Sequence, residues 1–379
     1  MLKTAAYAVF AAFGAFWGTW GAAIPRIREQ AALDDAQLGT ALLFVSAGAL
    51  PAMLLTGRAL DRWGLRCAAY LLAALGGAGV IAAATGHGLV SLAAGLVLVG
   101  MTSGAADVAA NSVAGRAEQL TGRPVITRGG GVFSVGVVGA SLGTGAAYAL
   151  GVPVWVPFAA VLLLCVAAGA LVHVRLPSGA VAPGRSDNPS PRPPLAPLLL
   201  LGALGALGYA SENAHQSWSA VFLEDVLSAA AGLSAIAPAA FAAVAAATRF
   251  TISALSPAHA RTVVIAGAVV AAAGAAVLAA APSIPVALAG LVLAAAGTAT
   301  LSPTLFSIVS RNVDESARGR ATAIVTVVSY LGFLLGPVYV GYWSSATGLR
   351  GAMLAVGALG VTLAALALPL IRMSRYRVR

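Results

Sequence analysis

Two carboxylates stand where carboxylates are costly. Asp107 and Glu212 each lie inside a long apolar run, whereas the other acidic residues fall in polar stretches or near run ends. A charged side chain at the centre of a membrane helix costs about 2.5–3.5 kcal/mol on insertion scales, so such groups face a cavity or a partner. Asp107 has Asn111 one helical turn further on, on the same face. Glu212 sits in the densest polar cluster of any apolar run, with Ser211, Asn213, His215, Gln216 and Trp218. Reversible protonation beside hydrogen-bonding groups that hold a small solute is the chemistry these residue types suit. Trp17, Trp20, Trp218 and Thr300 are further candidates for contact with that solute. Structural alternatives stay open: Asp107 can pair with Arg116, Glu212 can sit in a wide vestibule, and the tryptophans can be interfacial anchors.

Other chemistries are excluded by what is missing. Lys3 is the one lysine, so neither a P-loop nor a pyridoxal Schiff base can be built. Cys67 and Cys165 both fall in apolar runs and suggest neither a disulfide framework nor a metal site. Gly139-Ala-Ser141-Leu-Gly143 has the spacing of a serine-hydrolase elbow but lies within a small-residue helical run, where no strand–turn–helix elbow can form. No enzyme, no cofactor and no metal is expected.

The elements that must position these residues are membrane helices. The 379-residue chain is 60% hydrophobic and 9% charged, which a soluble domain could not bury. A crossing needs about 20 mainly apolar residues. Twelve such spans are predicted, at 4–24, 36–56, 67–85, 89–111, 129–150, 153–174, 197–222, 231–255, 262–280, 285–310, 321–343 and 351–371. With the N-terminus in the cytoplasm, every Lys and Arg except Arg26, Arg28 and Arg350 falls on the cytoplasmic side, Arg249 and Arg261 included. Short basic loops resist translocation, so both termini are expected in the cytoplasm. The net charge of +10 is scattered over short segments rather than gathered on one face, which argues against nucleic acid as a partner.

The proline-rich stretch 175–196 reads as a linker, since proline at that density stays extended. It leaves six spans on each side. The expected domains are a six-helix bundle at 1–174 and a second at 197–379, the pattern of an internal duplication. Small residues should let helices approach closely at Gly136, Gly139, Gly143 and Gly145 in span 5, and at Gly332, Gly336 and Gly341 in span 11. Pro337 should bend span 11.

The loop between spans 2 and 3 reads Gly57-Arg58-Ala59-Leu60-Asp61-Arg62-Trp63-Gly64-Leu65-Arg66. Here the chain resembles the major facilitator superfamily, whose signature in this loop is G-x-x-x-D-R-x-G-R-[RK]. Gly57, Asp61, Arg62, Gly64 and Arg66 match and Leu65 departs from it. Asp107-Val-Ala-Ala-Asn111, Leu120-Thr-Gly-Arg-Pro124 and Phe133-Ser-Val-Gly136 look like a YbjJ-like branch, similar in pattern to fucose permease-type symporters. The resemblance implies an all-α membrane protein of two six-helix bundles related by a pseudo-two-fold axis, with spans 1, 4, 7 and 10 lining a central cavity. It further implies that Gly57, Asp61, Arg62, Gly64 and Arg66 form a cytoplasmic gate, with Asp61 and Arg62 latching near residues 318–321. The loop after span 8, which would mirror this one, keeps Arg249 but has Ser253 and Ala254 where the family often has Asp-Arg.

The expected function is proton-coupled secondary transport of a small polar or amphipathic solute across the inner or plasma membrane, by a monomer in the lipid bilayer. Glu212 and Asp107 are the expected proton-coupling groups. Trp17, Trp20, Asp107, Asn111, Glu212, Asn213, Gln216, Trp218 and Thr300 are the expected substrate contacts. Efflux by antiport, or a transport-inactive sensor on the same scaffold, are the alternatives.

Overall fold

A computed structural model describes residues 2–176, 193–230, 232–253, 259–374 and 376. The expected linker at 175–196 falls largely outside the described residues. The described ones are helical in order α1 (Leu2–Gln30), α2 (Asp35–Trp63), α3 (Cys67–Thr85), α4 (Leu89–Thr121), α5 (Val125–Ala149), α6 (Trp155–Arg175), α7 (Leu195–Leu227), α8 (Ile236–Ser253), α9 (Ala260–Ala280), α10 (Ile284–Ala299), α11 (Leu301–Asn312) and α12 (Glu315–Met373). In lipid every backbone polar group must be satisfied within the chain, and helices achieve this segment by segment.

Three regions show more detail than the twelve-span expectation. Span 10 is two helices, because the chain leaves helical hydrogen bonding at Thr300, three residues before Pro303. Spans 11 and 12 are two helices, together α12, that meet at the non-helical Gly348 (φ 74°, ψ 168°). That left-handed φ is one that residues with a Cβ rarely adopt. Span 8 is a shorter apolar helix. Among the described residues ten helical stretches are long and apolar enough to cross a membrane, with α10 and α11 counted together as Ile284–Asn312 and the two helices of α12 counted as one.

The chain divides into two compact units, Met1–Arg185 with Ser228–Ala243, and Ser186–Leu227 with Val244–Arg379. Residues 228–243, expected in the second bundle, thus join the first unit.

In the first unit α1 is the most enclosed helix and packs on α5, α6 and α4; α2 lies on α4, and α3 on α6 and α4. Small residues make these approaches possible, since lipid gives helices no hydrophobic reason to associate and van der Waals contact must do so. Gly14 and Gly18 of α1 lie so close to the α5 backbone at Phe133 and Val137 that a Cβ would collide with carbonyl oxygens. Of the expected α5 glycines, Gly136 meets α1 at Ala11 and Gly145 meets Gly232, while Gly139 and Gly143 face open space. Polar contacts reinforce the α1–α5 seam: the Ser141 hydroxyl donates to the Gly18 carbonyl (3.0 Å), and Thr144 and Thr19 hydroxyls meet at 3.0 Å. A capping box of Asp34 and Gln37 starts α2.

In the second unit α7 packs chiefly on α12, and α9 on α10 and α12. Gly332 and Gly336 of α12 press on the α7 backbone at Ala206 and Ala210, as the small-residue reading expects. Leu201, Leu204, Leu301, Leu305, Val325 and Leu363 fill the core beside that seam.

Candidate functional site

Tyr209, Glu212, Asn213 and Gln216 follow a spacing of i, i+3, i+4 and i+7, which puts them on one face of α7. Glu212 lies near the middle of this 33-residue helix. One carboxylate oxygen, Oε1, accepts from Arg249 Nη2 at 2.6 Å and from Gln216 Nε2 at 3.1 Å. Removing a carboxylate from water costs several kcal/mol, about what an opposing charge with good hydrogen-bond geometry can return. Arg249, expected only as a cytoplasmic-side cation, lies on α8 in an ion pair with Glu212. The two partners differ in exposure: the Glu212 side chain is 7% exposed and that of Arg249 42%.

Around the pair, neutral groups fix α7 to α12. Pro337 has no N–H, so the carbonyl four residues earlier, on Phe333, loses its helical donor. Asn213 Nδ2 donates to that oxygen at 2.6 Å. The indole N–H of Trp218, a fully buried side chain, donates to the Pro337 carbonyl at 3.2 Å. Asn213 Oδ1 in turn accepts from Ser217 Oγ (3.2 Å). Asn213 and Trp218, expected to touch solute, thus have their donors engaged by the α12 backbone. His215 is fully buried, its Nδ1 2.7 Å from the Ser211 carbonyl.

Tyr209 lies one turn before Glu212 and meets two half-buried rings of α12 at 5.8 Å (Tyr330) and 6.3 Å (Phe333), both edge to face. Tyr330 and Phe333 touch each other at 6.0 Å. The second unit therefore carries a guanidinium–carboxylate pair, an amide and an aromatic triad in one neighbourhood.

In the first unit Asp107 accepts from Asn111 Nδ2 at 3.1 Å, as their spacing predicts, and the same amide also reaches the Asp107 carbonyl (3.0 Å). Asp107 is half-buried and Asn111 exposed. Among the described residues no cation pairs with Asp107. Trp20 is buried with its ring against Phe158 (6.2 Å), and the half-buried Trp17 stacks edge-on with Phe16 (5.6 Å). Thr300 is buried at the α10–α11 break, donating to the Gly297 carbonyl at 2.8 Å. Among the described residues no three His, Cys, Asp or Glu side chains cluster as a metal would require.

The residues expected to form a gate lie at the α2–α3 corner. Gly64 ends α2 at φ 78°, with its N–H on the Leu60 carbonyl (2.8 Å), a left-handed position that explains this glycine of the motif. Asp61 and Arg62 are exposed on the last turn, and Gly57 has open space where a Cβ would stand. Arg66 donates through Nε to the Leu176 carbonyl just past the end of α6 (2.9 Å), where the helix dipole favours a cation.

The sequence reading missed Arg249, Tyr209, Tyr330 and Phe333. Arg249 carried a signal, being the one charged residue of an otherwise apolar run at 236–253. Tyr209 carried one too, at i−3 from Glu212. Tyr330 and Phe333 gave none, because their place follows from how α12 packs.

Residues 201–377 match the family model for the Major Facilitator Superfamily. An uncharacterised MFS-type transporter of Yersinia pestis is 26% identical over 90% of this chain and 88% of its own length. An uncharacterised transporter of Sinorhizobium fredii is 29% identical over 91% of each chain. Among solved structures, a bacterial homologue of the human lysosomal transporter Spinster, inward-facing and unoccupied, superposes with a TM-score of 0.78 at 18% identity, covering 98% of this chain and 96% of that one. In sequence and in fold the chain is similar to major facilitator transporters, which are multi-pass membrane proteins and not enzymes.

Proposed function

We propose that this chain is a proton-coupled secondary transporter of the major facilitator type, of the YbjJ-like branch akin to fucose permease, carrying a small polar or amphipathic solute by alternating access. It acts as a monomer in the inner or plasma membrane. With α10 and α11 taken as one crossing, α8 as another, and α12 as two that meet at Gly348, the chain crosses twelve times and returns both termini to the cytoplasm. Each stretch of α12 flanking Gly348 exceeds the about 20 residues a crossing needs.

The observation that carries the reading is the buried Glu212 carboxylate bound by Arg249 midway along an apolar helix. An intramembrane carboxylate of this kind marks an ion or substrate path. Protonating Glu212 dissolves the ion pair, changes the charge the site presents, and so biases one state of the carrier over the other. Asp107 with Asn111 is the second protonatable candidate, and Trp17, Trp20, Asn213, Gln216, Trp218 and Thr300 are candidate solute contacts. Asp61 and Arg62 form the cytoplasmic latch, supported by their exposure at the α2–α3 corner.

Proteoliposomes with an imposed pH gradient test this. Wild-type protein should accumulate solute against its gradient, and Glu212→Gln should lose accumulation while still exchanging solute. Accumulation at the wild-type level by Glu212→Gln removes the coupling role; no solute-driven proton movement across a broad panel favours the sensor alternative.

A further inference from the structure

The Glu212–Arg249 pair is lopsided. The carboxylate is enclosed, while the guanidinium keeps an open side at 42% exposure. Arginine offers five donors in a planar fork, and one carboxylate oxygen at 2.6 Å leaves most of that fork available. Tyr209 stands one turn before Glu212 on the same face of α7, and Tyr330 and Phe333 complete a half-buried group of rings against Tyr209. A cation with an aromatic wall is a receptor for an anion attached to a flat apolar body.

We propose that Arg249 is the anion receptor of this carrier, that its solute is an aromatic carboxylate, and that Glu212 stands in for the solute's carboxylate when the site is empty. The proposal rests on the transporter reading and names the solute class for the same site. On binding, the incoming carboxylate takes Arg249, the Glu212–Arg249 ion pair breaks, and Glu212 takes up one proton. One anion and one proton enter together, so the net charge of the site is unchanged. Two carboxylates beside one guanidinium in a low-dielectric interior repel strongly, which makes the proton obligatory. The other groups facing Glu212 do not substitute for it. From α7 these are Gln216, His215 and Tyr209, and from α12 Tyr330 on the same ring cluster. Residues 284–310 of α10 and α11 contain no titratable side chain, and α8 contributes Arg249 alone.

The test uses the purified full chain with benzoate, phenylacetate and indole-3-acetate as probes against their amides, followed by tryptophan fluorescence and thermal shift from pH 5.5 to 8. The acids should bind and the amides should not. Apparent affinity for the acids should weaken about tenfold per pH unit, the slope for one proton taken up per anion. Glu212→Gln should bind the acids with an affinity flat in pH. The double variant Glu212→Gln/Arg249→Gln keeps the charge balance, so its folding can be checked by its melting curve, and it should bind none. Binding of amides as tightly as acids, no binding of any acid to wild-type protein, or a wild-type pH slope in Glu212→Gln would each overturn the proposal. Gradient-driven uptake of a neutral solute would refute the anion assignment and leave the carrier standing. Acid binding without movement of any solute would refute the carrier instead.

Discussion

In the first unit Asp107 accepts hydrogen bonds from a neutral amide on its own helix, whereas in the second Glu212 receives a guanidinium from a different helix and an amide on the same oxygen. The first arrangement is local and half-exposed, so it is set by spacing alone. The second needs α7 and α8 side by side, and Asn213 and Trp218 further fix α7 to the bend of α12. A site built from two helices responds to what those helices do; a site built within one helix does not. This difference makes the carboxylate of the second unit, and not that of the first, depend on how its helices pack.

The comparison breaks most easily at Arg249. Arg249→Gln leaves an enclosed carboxylate without its cation, which costs about 3 kcal/mol, taken at the low end of the buried-pair range because Arg249 is partly exposed. Its melting temperature in detergent should fall well below wild type, and Glu212→Gln added to it should restore most of the loss. If Arg249→Gln melts like wild type, the two carboxylates are held alike after all. A smaller effect is expected from Asn213→Ala, which strips the Phe333 carbonyl of its donor at a cost of about 1 kcal/mol. Pro337→Ala returns a helical N–H to that carbonyl, so in a double-mutant cycle it should make Asn213→Ala nearly neutral. Additive losses would show that the amide is not serving the proline bend. The smallest change belongs to Asn111→Ala, about 0.5 kcal/mol, because its side chain is exposed and water can replace it at Asp107. A loss rivalling that of Arg249→Gln would erase the contrast.

Local features were legible in the chain. The Asp107–Asn111 contact follows from a spacing of four, Gly64 from a helix end that needs left-handed φ, and the Gly332 and Gly336 seam from small-residue spacing. What escaped depends on partners far apart in sequence. Asn213 and the carbonyl that Pro337 vacates are 120 residues apart, and no periodicity in α7 hints at it. Arg249 reads as no more than a cytoplasmic-side charge near the end of span 8, because charge counting assigns sides, not partners. The joint between spans 11 and 12 is tighter than the span bounds 321–343 and 351–371 imply, because the helices turn at a single residue.

That residue, Gly348, leaves almost no slack between two long greasy stretches. During biosynthesis they would have to leave the insertion machinery back to back, as a hairpin, rather than one after the other. An epitope tag placed at 348 would wedge the two apart. Reporter fusions that map topology should therefore tolerate the 175–196 stretch far better than this joint.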